Sequence, residues 1–336
     1  MRKAVLTGCG GISGAWFGAL KQFDDVEIVG LVDLNPEAIT NTREKHGLTP
    51  KAEGDNLSKV IEKSGADLVF DCTVPEAHKS VTLTALSAGC DIMGEKPMAS
   101  TLEDAREMVD AAEKSGKTYA VMQNRRYLPG IAAFKTTLES GVVGEITEIH
   151  ADFYIGAHFE GFRTKMDHPL LLDMAIHTFD QARYICGKDP VTVFASDWNP
   201  VNSWYKNGAS AAAFFEMTGG AVFTYRGSWC SDGMNTPWEG SWRVTGEKGT
   251  VLWDGSNDIR GEIPVNDEGL IRQLDKIETA APDYKMISGH TGAIRDFLDC
   301  LKKGCVPQTV CTDNVKSVAM VHGAIKSTEL KKVVTL

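Results

Sequence analysis

The most restrictive feature of this sequence is a glycine-rich turn, Gly8-Cys9-Gly10-Gly11-Ile12-Ser13. It sits between a short apolar run (residues 3–7) and a helical pattern (residues 14–22). Glycines at such a junction allow a tight strand-to-helix turn. They also let main-chain N–H groups at the helix N-terminus approach a pyrophosphate. The third position of a GxGxxG fingerprint is Ser13 here, with Gly14 following. A second apolar run, residues 26–33, ends at Asp33, 25 residues after Gly8. An acid at that point can accept hydrogen bonds from the adenosine ribose hydroxyls and would repel a 2′-phosphate. No arginine follows it at Leu34 or Asn35. The unit therefore predicts dinucleotide binding, with NAD favoured over NADP.

The alternation continues downstream. Helical patterns are predicted over residues 36–46 (with Asn35 as N-cap and Pro36 at the first helical position), 56–64, 76–88 and 102–115. Strands are predicted over 68–73, 91–94 and 119–123. Repeated β-α units imply a doubly wound parallel sheet with right-handed crossovers. The texture changes after Asn124. Helices are expected over 128–140 and 169–186, and strand-like runs over 145–155, 191–198, 209–217, 221–229, 240–245 and 250–253. Thr218-Gly219-Gly220 is a hairpin signal, and two helices close the chain at 292–303 and 314–330. The expectation is an α/β protein: a dinucleotide-binding Rossmann domain over 1–123, then an α+β domain over 124–336 with a large, open, mostly antiparallel sheet for substrate binding and oligomerisation.

Charge and cysteine content narrow the function. The net charge of −10 divides as −6 up to Gln123 and −4 beyond it, with no basic block. Phosphate polymers need clustered cations, so nucleic acid is excluded as a partner, as is a polybasic membrane contact. No apolar run approaches the ~18 residues of a membrane span, and residues 4–8 are too short for a signal-peptide core. A cytoplasmic protein is expected. The eight cysteines are scattered without a CxxC pair and are expected to be mostly reduced. The loose group Cys300, Cys305 and Cys311 lacks the paired spacing and histidines of a zinc site, so no metal is expected.

Two constellations could carry chemistry. Glu95-Lys96-Pro97 follows a short apolar strand, where ligands of open α/β sheets collect. A lysine there can stabilise a developing alkoxide, although most lysines are simply solvated. Asp173 and His177 stand i, i+4 on one predicted helix, flanked by apolar residues. A carboxylate beside an imidazole can fix its tautomer and suit it to general-base work, and a helix-surface pair would show the same spacing.

Taken together, VLTGCGGIS, VGLVD, DCTVPEAH, GCDIMGEKPMA, NRRY and DMAIH resemble the Gfo/Idh/MocA oxidoreductases, in family order over nearly the whole chain. The resemblance implies an NAD(P)-dependent dehydrogenase or reductase acting on CH–OH groups of sugars, inositols or related polyols. It implies Lys96, Asp173 and His177 as the catalytic group. Cofactor contacts are implied from Gly8, Gly10, Gly11, Ile12, Ser13, Asp33, Glu95 and Lys96. Thr73, Pro75 and His78 match a T-P-x-x-x-H-like segment bordering the cofactor, with the proline displaced by Val74. Where relatives carry glycines ahead of D-x-x-x-H, this chain has Asp167-His168-Pro169-Leu170, which makes His168 a pocket candidate. Arg126 and Tyr154 are further substrate candidates, besides Lys96, Asp173 and His177. Arg163 and Arg243 have no positional support. The resemblance also implies a homodimer or homotetramer built on the open sheet.

The mechanism expected is removal of a hydroxyl proton by His177, oriented by Asp173. Lys96 offsets charge on the oxygen, and a hydride passes to nicotinamide. Two other classes stay open, an NAD-using glycosidase of the same fold and a non-catalytic dinucleotide-binding sensor.

Overall fold

A computed structural model describes all 336 residues. The chain divides into two compact units: Met1–Asn124 with Ile287–Val318, and Arg125–Met286 with Ala319–Leu336. The return of Ile287–Val318 to the first unit is absent from the sequence-based division, which ends that domain at residue 123.

In the first unit, strands β1 (Arg2–Thr7), β2 (Val26–Val32), β3 (Ala52–Gly54), β4 (Leu68–Asp71), β5 (Asp91–Gly94) and β6 (Tyr119–Val121) form one sheet in the order 3-2-1-4-5-6. Every pairing in it is parallel. Helices α1 (Ser13–Leu20), α2 (Pro36–His46), α3 (Leu57–Ser64), α4 (Pro75–Ser87) and α5 (Leu102–Ser115) supply the crossovers. Their starts are written locally. Asn35, Asn56 and Thr101 accept main-chain N–H bonds from the first turns of α2, α3 and α5. Three of these helices end on left-handed glycines, Gly47, Gly65 and Gly116. The strands are buried on both faces, as a sheet sandwiched by helices requires. Helix α8 (Gly289–Lys303) returns to pack against α1. The segment after it lies along the outer edge of β6, where Val121 N–H donates to Thr309 C=O at 2.9 Å and Ala120 bridges Val310.

The second unit is built on nine strands: β7 (Ile146–Tyr154), β8 (Pro190–Trp198), β9 (Ser210–Met217), β10 (Val222–Ser228), β11 (Ser241–Gly246), β12 (Gly249–Trp253), β13 (Ile259–Pro264), β14 (Leu274–Lys276) and β15 (Val334–Thr335). Their order is 14-13-12-11-7-10-9-8-15, antiparallel except for β7–β10. Helices α6 (Pro129–Glu139) and α7 (Ile176–Cys186) belong to this unit, and α9 (Cys311–Leu330) carries the chain into its final strand. Phe179 of α7 meets Phe215, Phe223 and Tyr225 edge-on, all with ring centroids within 6.0 Å. Removing that ring would cost about 3–5 kcal/mol by cavity formation. The opposite sheet face is open: Phe194 and Phe214, paired across β8 and β9, are each close to half exposed.

The helix expected over 169–186 is not uniform. Leu170–Ala175 forms a π-helical turn that passes into α7 at Ile176. Strands β3, β13, β14 and β15 are additions to the sequence-based reading.

Candidate functional site

The glycine turn stands at the C-terminal ends of β1 and β4. Gly8 has φ +88°, and a Cβ there would lie 2.5 Å from the Cys72 carbonyl carbon, so no larger residue fits. Gly10 and Gly11 have open space where a Cβ would point. No protein acceptor is recorded for the N–H groups of Gly10, Gly11 and Ile12, and all three residues are exposed at the start of α1. Ser13 turns inward, its hydroxyl donating to Gly10 C=O at 2.7 Å. Asp33 braces the same turn. Its Oδ2 accepts from Cys9 N–H at 2.7 Å, and its Oδ1 accepts from Asn35 N–H at 2.8 Å. A cavity of about 410 Å³ opens here, lined by Gly8, Gly10, Asp33, Asp55, Thr73 and Val74 among others. Unused N–H donors at a helix N-terminus, a cradle free of side chains and two carboxylates beside it fit a dinucleotide without a 2′-phosphate.

The β4–α4 turn corrects one expectation. Pro75 opens α4, and Thr73 donates from its hydroxyl to Asp71 Oδ1 at 2.6 Å. His78 does not reach the cavity. It is 1% exposed, and its Nδ1 lies 2.8 Å from Asp71 Oδ2, so it pins the turn from beneath. Only Thr73 of that motif borders the cavity among its polar side chains.

Glu95 is also turned inward. It is 6% exposed. Its Oε1 accepts from the Trp16 indole N–H at 2.6 Å and stands 3.7 Å from His290 Nε2, and its Oε2 accepts from Lys96 N–H at 3.1 Å. Burial pushes the carboxyl pKa up, but His290 and the Trp16 hydrogen bond outweigh it and leave it below the usual range. Glu95 thus holds the loop that carries Lys96 rather than offering its carboxylate to a ligand. Lys96 itself is half-buried just beyond β5, ahead of a cis peptide to Pro97.

In the second unit, Asp173 lies within the π-helical turn and His177 in the first turn of α7, where it is 7% exposed. π-turns are rare and gather at functional positions. Asp173 Oδ2 accepts from Arg163 Nε at 2.5 Å. The Arg163 guanidinium stands over the rings of Phe159 and Phe162, 4.9 and 4.7 Å from their centroids. Arg163 thereby gains the positional support that the sequence lacked, whereas Arg243 lies on the open sheet face.

Three substrate candidates are placed elsewhere. Arg126 is 6% exposed, and its guanidinium makes two parallel 2.6 Å hydrogen bonds to Asp180, a buried fork that ties the chain start of this unit to α7. Tyr154 shares the sheet face of His150 and Asp152, opposite to α7, by strand alternation. His168 is engaged through Nδ1 by Asp197 of β8, and its C=O accepts from Leu172 N–H at 2.9 Å, so it ties the π-turn to the sheet. That carboxylate raises the His168 pKa despite burial. Cys300 and Cys305 form a disulfide across the end of α8, the other six cysteines are free, and no group of three or more His, Cys, Asp or Glu side chains could hold a metal. Trp16 and His290 are absent from the sequence reading. Nothing local marks them, because their partner Glu95 is remote in sequence.

Residues 2–123 match the oxidoreductase family described as an NAD-binding Rossmann fold, and residues 131–252 match the GFO/IDH/MocA C-terminal domain. Among characterised relatives, the D-apiose dehydrogenase of Paraburkholderia graminis is 28% identical, over 99% of this chain and 89% of that protein. The myo-inositol 2-dehydrogenase of Thermotoga maritima is 28% identical over 58% of each. An Agrobacterium radiobacter oxidoreductase, solved in complex with NAD+, L-tartaric acid and magnesium, shares the fold with a TM-score of 0.86 at 24% identity, covering 99% of this chain and 98% of that one. The chain belongs to the GFO/IDH/MocA oxidoreductases, a family of NAD-binding Rossmann enzymes whose named members here are dehydrogenases and reductases of sugars and polyols.

Proposed function

We propose that this protein oxidises a secondary alcohol of a sugar, inositol or related polyol, or reduces the matching ketone, with NAD as the hydride carrier. The observation that carries the reading is the N-terminal unit itself. Its glycine cradle, the Asp33 carboxylate and Lys96 all stand on the C-terminal edge of one sheet. NAD, when bound, supplies the hydride acceptor. The Gly10, Gly11 and Ile12 N–H groups hold its pyrophosphate, and Asp33 accepts from its adenosine ribose. Lys96 donates to the substrate oxygen and offsets the charge that develops there. His177 takes the hydroxyl proton. Asp173 is a positioning residue: it sits one helical turn before His177 and is itself steadied by Arg163.

The experiment is incubation with NAD and a panel of sugars, inositols and polyols, following nicotinamide reduction. His177→Ala and Lys96→Met should each lower turnover by at least about 100-fold, with NAD affinity retained. Normal turnover in either variant refutes that residue's role. Release of an aglycone without net reduction would identify the glycosidase reading instead. NAD binding without either product would identify a sensor.

The protein acts as a homo-oligomer through the open face of the nine-stranded sheet. That face presents Phe194 and Phe214 beside Asp152 paired with Arg226, and Arg243 and Arg260 near Asp258. Such a mixture of apolar rings and both charge signs suits a self-complementary contact. Sedimentation equilibrium tests it. A monomer at assay concentration, or Phe194→Glu leaving the assembly intact, refutes it.

A further inference from the structure

We propose that His290 is a positioning residue for the Lys96 chemistry: it fastens the Glu95 carboxylate, and through it the main chain that presents the Lys96 ammonium. This rests on the role assigned to Lys96 above.

Asn124 Nδ2 can only donate, and it lies 3.3 Å from His290 Nδ1. That contact orients the imidazole ring. Nε2 faces Glu95 Oε1 at 3.7 Å, an ion-pair separation longer than a hydrogen bond. The same Oε1 accepts from the Trp16 indole, and the other carboxylate oxygen accepts from Lys96 N–H. Three elements thus meet at one buried carboxylate, α1 through Trp16, the end of β5 through Glu95 and Lys96, and α8 through His290, and the segment after β6 reaches it only by way of Asn124 against His290. A buried carboxylate is tolerated only with its acceptor positions satisfied. Of its polar neighbours, His290 is the one delivered by the late segment of the chain, and its ring stands 3.3 Å from the side-chain amide of Asn124, immediately before Arg125-Arg126.

Without His290 the carboxylate keeps its two hydrogen bonds but loses the imidazole that faces Oε1, and the Lys96 main chain moves with it. A misplacement of about 1 Å at a catalytic group costs on the order of 100-fold in rate. His290→Ala and the space-filling His290→Leu are therefore expected to lower kcat by about 10- to 100-fold on whichever panel substrate the wild type oxidises. The Kd for NAD should stay within about twofold, because the glycine cradle and Asp33 are untouched. His290→Gln, whose amide can donate to Glu95, should recover most of the lost kcat. In a Lys96→Met background His290→Ala should have no further effect. A readout independent of substrate is the Trp16 indole N–H resonance, identified by Trp16→Phe, which should shift in His290→Ala and return towards its original position in His290→Gln.

Unchanged kcat in both His290→Ala and His290→Leu, parallel loss of kcat and NAD affinity, an unmoved indole resonance, or an additive effect with Lys96→Met each overturn the proposal. If Lys96→Met alone turns over normally, it is the role of Lys96 that fails, and the indole resonance still decides whether His290 fastens Glu95.

Discussion

Asp33 has two duties that a single substitution separates. Its carboxylate accepts main-chain N–H bonds from Cys9 at 2.7 Å and Asn35 at 2.8 Å. A carboxylate offers about four acceptor positions, so two remain for the vicinal hydroxyls of an adenosine ribose in the adjoining cavity. Hydrogen bonds to an ionised acceptor contribute about 1.5–3 kcal/mol each. Asp33→Ala removes both ribose bonds, a loss of at least about 3 kcal/mol, or upwards of 100-fold in the Kd for NAD. It also frees the Cys9 N–H and loosens the turn. Asp33→Asn keeps one oxygen acceptor and turns an NH2 group towards a main-chain donor, so about a tenfold loss is expected, at the low end of one such bond. Because the aspartate charge also repels a 2′-phosphate, the ratio of NADP to NAD affinity should rise in Asp33→Ala. It should not invert, since Asp55 still lines the cavity. Calorimetric titration with both dinucleotides reads all of this. An NAD Kd within about threefold of wild type in Asp33→Ala, well inside the loss expected for one such bond, would refute the assignment.

Further expectations concern the two units separately. Gly8→Ala should destabilise the protein by at least about 1–3 kcal/mol from its left-handed backbone alone. Gly10→Ala should leave stability unchanged while weakening NAD at least about tenfold, the cost of about 1.4 kcal/mol, because its Cβ meets nothing in the protein. Urea unfolding and NAD titration distinguish the two. Asp180→Ala should cost about 3–5 kcal/mol by taking the carboxylate fork from a buried guanidinium, and Arg126→Met combined with Asp180→Leu should cost less than Asp180→Ala alone; equal losses refute the buried-charge account. His168 has its folded pKa raised by Asp197, so its contribution to stability is complete below the unfolded histidine value and is lost as pH rises through the folded one. His168→Gln should flatten the stability profile over that interval, and an unchanged profile would refute the pairing.

Much of the N-terminal unit was legible because its signals are local. A cap such as Asn35 or Thr101 acts within three residues, and the glycine turn and Asp33 interact across adjacent parallel strands. The large sheet was legible in its long central strands, while the short β13, broken by Gly261 and ending at Pro264, was missed despite its alternation. It was not legible at β14, which is exposed throughout, or at β15, which is two residues long. The π-turn at Leu170–Ala175 carries no compositional mark, so the helix over 169–186 reads as continuous. Site residues divided in the same way. Gly8, Gly10, Asp33 and Thr73 line one cavity at the C-terminal ends of the strands, because main-chain geometry puts them there. The fates of His78, Glu95, Arg126 and His168 depended on which buried or half-buried partner each side chain found, and Asp71, Trp16, Asp180 and Asp197 are not announced by spacing.

The strip of chain along the outer side of β6 has a consequence for synthesis. Thr309 and Val310 close the edge of the six-stranded sheet, yet the ribosome makes them almost two hundred residues after Val121. Until they emerge, the nascent sheet carries an open edge with unpaired N–H and C=O groups, the pattern that invites pairing with another chain. The whole of β7 to β14 must be produced while that edge waits. Heat or translational pausing before residue 309 should therefore yield aggregates nucleated at β6, and the vulnerable species is a growing chain rather than the finished enzyme.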